Sequence, residues 1–220
     1  MSKLKEFVVG TARPLPVILL ADVSGSMSTN GKIDVLNDSI EEMLRTFASE
    51  DDHRAEIHVA TITFGKNGGQ LHQALTPAGQ TSWQRMTAAG ATPLGAALNT
   101  ALQLIEDRQQ IPSRSYSPTL ILVSDGQPTD DWQQPLQDLL SSPRGSKASR
   151  FALGIGDDAD MTMLSAFLAD PNGKVFSAQD VRQIKKFFKW VTMSVTERSR
   201  SVNPDSFIPS DPIDFDEDVF

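Results

Sequence analysis

A chain of 220 residues with a net charge of −8 and no cysteine is long enough to bury a full core within one domain. The negative charge argues against nucleic-acid or anionic-membrane binding, which needs a basic footprint. The missing cysteines exclude disulfides, thiolate metal sites and cysteine catalysis. Hydrophobic and charged contents of 39% and 22% are those of an ordinary globular protein. No apolar run approaches the roughly 18 residues that span a bilayer, and the first ten residues lack a signal-peptide apolar core. A soluble cytoplasmic protein is expected.

In chain order, residues 1–13 form a lead-in with an edge strand expected at 7–9. Val17, Ile18, Leu19 and Leu20 form an uninterrupted apolar run, the pattern of a strand buried on both faces of a parallel sheet. It ends in Asp22, Ser24 and Ser26, three hard oxygen donors at alternate positions. Gly25 is expected to allow a tight bend between the serines. A helix is predicted over 32–49, with Ile33, Leu36, Ile40, Met43, Leu44 and Phe47 on one face. Strands at 55–64 and 70–75 flank a glycine-rich turn, giving a hairpin at the sheet edge.

The next helix is predicted to start at Pro93, with Thr92 as its N-cap. A second wholly apolar strand, 118–124, ends at Asp125. Further elements are expected as a helix at 131–140, a strand at 150–155, a helix at 161–168, a strand at 174–176 and a helix at 180–198. On the last helix Ile184, Phe187, Phe188, Val191 and Val195 face inward, while Arg182, Lys185, Lys186 and Lys189 face water. From 199 onward the pattern stops. The acidic tail 199–220 carries spaced hydrophobics and, from Ser206, no basic residue; it cannot form a core of its own. The alternation of apolar strands and amphipathic helices predicts a single α/β domain, doubly wound and Rossmann-like, over residues 14–198. Its sheet is mostly parallel with one antiparallel edge strand, and helices cover both faces.

One carboxylate and two hydroxyls at a strand end suit a small hard cation such as Mg²⁺. The Asp22-x-Ser24-x-Ser26 run resembles the metal-ion-dependent adhesion site of von Willebrand factor A domains. Gly90-Ala91-Thr92-Pro93-Leu94 resembles that family's second metal loop, with Thr92 at the ligand position. Leu122-Val123-Ser124-Asp125-Gly126-Gln127-Pro128 resembles the third, with Asp125 there. Arg13-Pro14-Leu15-Pro16 together with Ser24-Gly25-Ser26-Met27 is similar to the bacterial TerY-like tellurium-resistance subgroup.

The resemblance implies a site of Asp22, Ser24, Ser26, Thr92 and Asp125 holding Mg²⁺, with Mn²⁺ or Ca²⁺ as alternatives. Ser24 and Ser26 would bind directly, Thr92 when a ligand is present, and Asp125 directly or through water. An Asp or Glu of a protein partner would complete the shell. It further implies tellurite-resistance, stress or phage-defence signalling, alongside a protein kinase and a PP2C-type phosphatase.

Competing readings are weaker on the residues. No phosphate loop, dinucleotide fingerprint, Gly-x-Ser-x-Gly elbow or strand-end histidine is present, so the chain is not expected to be an enzyme. The second aspartate that a haloacid-dehalogenase-type phosphatase places beside the first is missing after Asp22, and a metal-dependent phosphohydrolase stands as the third reading, behind the two binding roles. An alternative is a phosphorylation switch at Ser24, Ser26 or Thr92, where phosphate would add about 1.5–2 negative charges. Asp34, Asp38, Asp130 and Asp131 are expected to be solvated surface or helix-end acids. His58 and His72 are expected on the hairpin surface, facing each other across it. The tail is expected to be a flexible, solubilising segment; the alternative is a short motif that docks on a partner or on a neighbouring copy.

Overall fold

The computed structural model describes residues 12–50 and 54–209; the strand expected at 7–9, His53 and residues 210–220 lie outside them. Six strands form one sheet in the order β3-β2-β1-β4-β5-β6. The strands are β1 (Arg13–Asp22), β2 (Ala55–Gly65), β3 (Gly68–Pro77), β4 (Thr119–Ser124), β5 (Ser149–Ile155) and β6 (Phe176–Ala178). All neighbours are parallel except the β2–β3 hairpin, as the alternation of elements predicts.

The central strand is buried from Pro14 to Asp22. Its side chains divide by parity: Leu15, Val17, Leu19 and Ala21 enter one core, Ile18 and Leu20 the other. Burying each such aliphatic side chain is worth about 1.5–3 kcal/mol, which explains the unbroken apolar run. Prolines are unusual in a central strand because they cannot donate to the ladder. Here Arg13 N–H donates toward β2, to Arg54 O. By alternation the nitrogens of Pro14 and Pro16 face the opposite side, where pairing with β4 begins only at Val17.

Among the described residues five α-helices cover the two faces: α1 (Lys32–Ala48), α2 (Leu94–Glu106), α3 (Gln133–Ser141), α4 (Met161–Leu168) and α5 (Val181–Arg200). Leu36, Ile40 and Met43 of α1 share a core with Ile184, Phe187, Phe188, Val191 and Val195 of α5. Leu94 and Leu98 of α2, Leu136 of α3, and Met163 and Phe167 of α4 line the other face. Arg182, Lys185, Lys186 and Lys189 are exposed, as the helical spacing predicts.

Several local expectations change. The short strand expected at 174–176 forms instead at Phe176–Ala178, where Leu153 pairs with Phe176. Gly25 does not make a bend that needs glycine: its φ is not positive, and an added Cβ would meet only Gly90 O at 3.5 Å. In the segment between β1 and α1 the left-handed residues are Asn30 and Gly31, with φ of 56° and 70°. His58 and His72 do not face each other. The β2–β3 register opposes His58 to Pro77, His58 Nε2 lies 2.7 Å from Glu56 Oε2, and His72 Nε2 lies 2.7 Å from Gln84 O.

Past residue 200 the chain stays against the domain. The buried Arg198 guanidinium donates to Pro204 O, Thr119 Oγ1 and Ser117 O at 2.7–2.8 Å. Asp205 accepts from Ser117 N at 2.8 Å. These contacts tie residues 204–205 to the start of β4.

Candidate metal centre

The strand order reverses direction of growth between β1 and β4. In open α/β sheets the crevice beyond the carboxyl ends of two such strands is where ligands bind. Asp22 is the last residue of β1, and Asp125 directly follows Ser124, the last residue of β4, so both carboxylates emerge at that crevice.

Their neighbourhood is a continuous chain of polar contacts. Ser24 N–H donates to Asp22 Oδ1 at 2.8 Å, and the Ser124 hydroxyl donates to Asp22 Oδ2 at 2.6 Å. The Ser24 and Ser26 hydroxyl oxygens stand 2.9 Å apart. The Ser26 hydroxyl donates to Asp125 Oδ1 at 2.6 Å, and Lys32 Nζ donates to Asp125 Oδ2 at 2.7 Å. Asp22, Ser24, Thr92 and Asp125 are 0%, 2%, 6% and 1% exposed, whereas Ser26 is exposed. The cluster therefore opens to solvent through Ser26. Burial raises the Asp22 carboxyl above its ordinary value, opposed by the hydrogen bonds from Ser124 and Ser24, with the charge of Asp125 adding to the rise.

Thr92 reaches the same end by a different route. Residues 81–93 run without a regular helix or strand and are clipped to α1 by one buried side chain. Asn37 accepts from Met86 N at 2.7 Å and donates to Met86 O at 3.0 Å. Arg85 bonds Asp38 at 2.7 Å and Asp34 at 3.3 Å, so these two acids are paired rather than merely solvated. The loop then passes beside the segment after β1, where Gly25 N–H donates to Gly90 O at 2.9 Å. Gly90 has φ +88°, and a Cβ there would stand 2.3 Å from Lys66 Cα, so only glycine fits. Thr92 exchanges two bonds with Thr129, four residues past Asp125: Thr92 N–H donates to Thr129 Oγ1 and Thr129 N–H to Thr92 O.

The expected Thr92 cap is not what starts α2. Pro93 is the N-cap residue, and it offers no side-chain acceptor. Asp130 supplies the acceptors from the loop after β4, taking Gly95 N–H at 2.9 Å and Ala96 N–H at 3.0 Å. The acid expected to be solvated thus binds the helix start, which frees Thr92 from capping. The structure joins Asp22, Ser24, Ser26 and Asp125 by direct contacts and sets Thr92 on the adjoining loop.

Lys32, Asn37, Ser124 and Asp130 were not singled out for these roles by the sequence. Lys32 carries a usable signal. Side chains at the start of a helix lean toward its N-terminus, and α1 starts at Lys32, a few residues after Ser26. The other three meet partners far away in the chain, which no local pattern encodes.

The donor set fits a small divalent ion. Two ligand oxygens at right angles on an octahedral ion with bonds of 2.0–2.1 Å stand about 2.9 Å apart, so the Ser24 and Ser26 hydroxyls, which here hydrogen-bond each other at 2.9 Å, could both turn to one ion without moving apart. Among the described residues, no three His, Cys, Asp or Glu side chains cluster. The site is therefore one of hydroxyls and two carboxylates.

An α/β sheet with this order, carrying two carboxylates and a serine pair at its switch point, has the form of a known class of domain. Residues 17–190 match the model of the von Willebrand factor type A domain, and the chain belongs to that family. It is 26% identical over 190 residues to human inter-alpha-trypsin inhibitor heavy chain H6, covering 80% of this chain and 14% of that one. Among solved structures it is similar to the pilus adhesin SpaC from Lactobacillus rhamnosus GG, open conformation (TM-score 0.67, 17% identity, 84% of this chain and 30% of that one). It is also similar to proximal thread matrix protein 1 from the mussel byssus with a zinc-occupied MIDAS motif (TM-score 0.62, 14% identity, 84% and 48%). The chain spans less than half the length of each of these relatives. The family is one of metal-dependent interaction and adhesion modules. No helix among the described residues is long and apolar enough to cross a membrane.

Proposed function

We propose that this chain is a Mg²⁺-dependent docking module for a protein partner, not an enzyme. Asp22, Ser24, Ser26, Thr92 and Asp125 hold the ion, and an Asp or Glu of the partner completes its coordination. The observation that carries this reading is the convergence of Asp22, Ser24, Ser26 and Asp125 through one chain of direct contacts at the carboxyl ends of β1 and β4. The ion would supply the positive charge that draws the partner's acid. Asp22, bonded by Ser24 N–H and the Ser124 hydroxyl, fixes the first loop against β4. Mn²⁺ or Ca²⁺ would also suit an all-oxygen set.

The partner setting rests on the similarity of residues 13–27 to the TerY-like subgroup. On that reading the chain is a bacterial, cytoplasmic component of a tellurite-resistance, stress or phage-defence system and binds its protein kinase or PP2C-type phosphatase. Residues 14–198 are the binding domain, and the acidic tail is a second docking segment for a partner or a neighbouring copy. Pull-down from the host with and without EDTA, repeated with Asp22→Ala, tests it. A partner lost in both treatments is the expected result; a partner retained in EDTA contradicts the metal's role.

The second reading is a kinase-controlled switch, and exposure narrows it to one residue. Ser24 and Thr92 are buried, whereas Ser26 is exposed. Phosphate on Ser26 would place about 1.5–2 negative charges beside Asp125. Phosphopeptide mass spectrometry after co-expression with a cognate kinase decides it: modification at Ser26 supports the switch, and an unmodified Ser26 removes it.

A further inference from the structure

Lys32 belongs to none of the three metal loops, yet its ammonium touches the site. Lys32 Nζ is 2.7 Å from Asp125 Oδ2, with the Asp125 side chain fully buried and that of Lys32 19% exposed. On the other flank lies the turn after β5, where a Cβ added to Gly156 would stand 3.7 Å from Nζ. The lysine thus sits at the rim of the crevice with a fixed direction. It is also the first residue of α1, the helix end at which a cation is disfavoured by the aligned peptide dipoles. A side chain that breaks a local rule points to a role at a site.

The charges can be summed. Asp22 and Asp125 give −2, and Lys32 brings the metal-free site to −1. A divalent ion then makes it +1, where without Lys32 the loaded site would be neutral. An ion and an ammonium compete for the field of one carboxylate and repel each other, while both attract an incoming anion.

We infer that Lys32 is a built-in counter-charge: it weakens binding of the divalent ion alone and strengthens binding of a partner's carboxylate to the loaded site. Ion and acid are then taken up together rather than one after the other. This rests on the metal reading above, and names the regulation of that same site. The partner it favours is one whose acid arrives without a basic neighbour, since Lys32 already supplies the positive charge.

The test uses the intact chain with Mn²⁺ and acetate as probes. Free Mn²⁺ is read by electron paramagnetic resonance, and acetate binding to the Mn²⁺-loaded protein by water-proton relaxation. Lys32→Met is expected to bind Mn²⁺ on the order of tenfold more tightly and to bind acetate several-fold more weakly, with Lys32→Arg close to the parent in both. A lysine that only neutralised Asp125 for folding would change the metal-free melting temperature without moving the two affinities in opposite directions. That result overturns the inference and leaves the metal reading standing. If the parent takes up no Mn²⁺ but Lys32→Met does, the counter-charge is supported in its strongest form. If neither does, both the inference and the metal reading fail. Lys32→Gln serves the same comparison should the methionine variant not fold.

Discussion

Ser124 donates its hydroxyl to Asp22 Oδ2 across the seam between β4 and β1, at 2.6 Å and with neither residue exposed. This bond, with the Ser24 N–H on the other oxygen, lets a carboxylate sit buried at the end of the central strand. It does not cancel the cost of burial, because the Asp22 carboxyl still lies above its ordinary value of 3.8. A raised carboxyl binds its proton more tightly in the folded state. Its contribution therefore favours folding at low pH and is lost as pH rises from about the ordinary value through the folded one.

The metal-free protein should consequently carry a penalty at neutral pH that Asp22→Asn removes. We expect the variant to melt higher than the parent in EDTA, by about 2–4 °C for each ~1 kcal/mol recovered, and to gain nothing from added Mg²⁺. Calorimetric melting at pH 7 with and without the ion measures both. A variant that melts lower in EDTA would show that Asp22 stabilises the fold rather than the ion.

Asn37 should be the most sensitive residue of α1 outside the apolar core. Asn37→Ala strands the buried Met86 N–H and frees the loop that carries Thr92. An unsatisfied buried group costs about 1–3 kcal/mol. Urea denaturation should register that loss, and Mn²⁺ affinity should fall with it. A stability loss with unchanged Mn²⁺ affinity would separate Thr92 from the site.

Asp130→Ala removes both acceptors at the start of α2. Loss of an N-cap typically costs about 0.5–2 kcal/mol. Asp130→Asn, which keeps one carbonyl oxygen, should recover part of this. Hydrogen exchange at Gly95 and Ala96 gives the local readout, with faster exchange in the alanine variant.

At the opposite end of the sheet, Arg198→Met should destabilise strongly. The side chain is 4% exposed and serves Pro204 O, Thr119 Oγ1 and Ser117 O. Burial lowers its basicity, with Asp205 opposing that shift. Removing one member of a buried charged network costs about 3–5 kcal/mol. A shift in the urea midpoint without a change in Mn²⁺ affinity is expected, because the candidate metal site lies at the other end of β1 and β4. The tail is best probed by deleting residues 210–220, since a cut at 201 would also remove Pro204 and Asp205.

The order of elements and their inner faces were legible because burial on two faces demands unbroken apolar runs and helical burial demands a 3.6 spacing. Leu36, Ile40 and Phe187 could be placed from those patterns alone. The ends of elements were less legible where a distant group sets them. Asp130 caps a helix 36 residues upstream, beginning at Leu94, which no reading of Thr92-Pro93 could reveal. At the candidate site the motif residues stood out because each follows a strand or precedes a helix. Lys32 and Ser124 did not, since their roles arise only when β1, β4 and α1 meet. His58 and His72 misled in the opposite sense: counted from the Gly65–Gly68 pair, His58 falls opposite Leu75 even before the register shifts between Val59 and Ile62 move it to Pro77.

The most direct test of the central claim is titration calorimetry of Mg²⁺ and Mn²⁺ into metal-stripped intact protein, repeated with Asp22→Ala, Ser26→Ala and Asp125→Ala. Saturable uptake of a single ion by the parent, lost or greatly weakened in all three variants, is the predicted result. No uptake by the parent, or equal uptake by the variants, would contradict it.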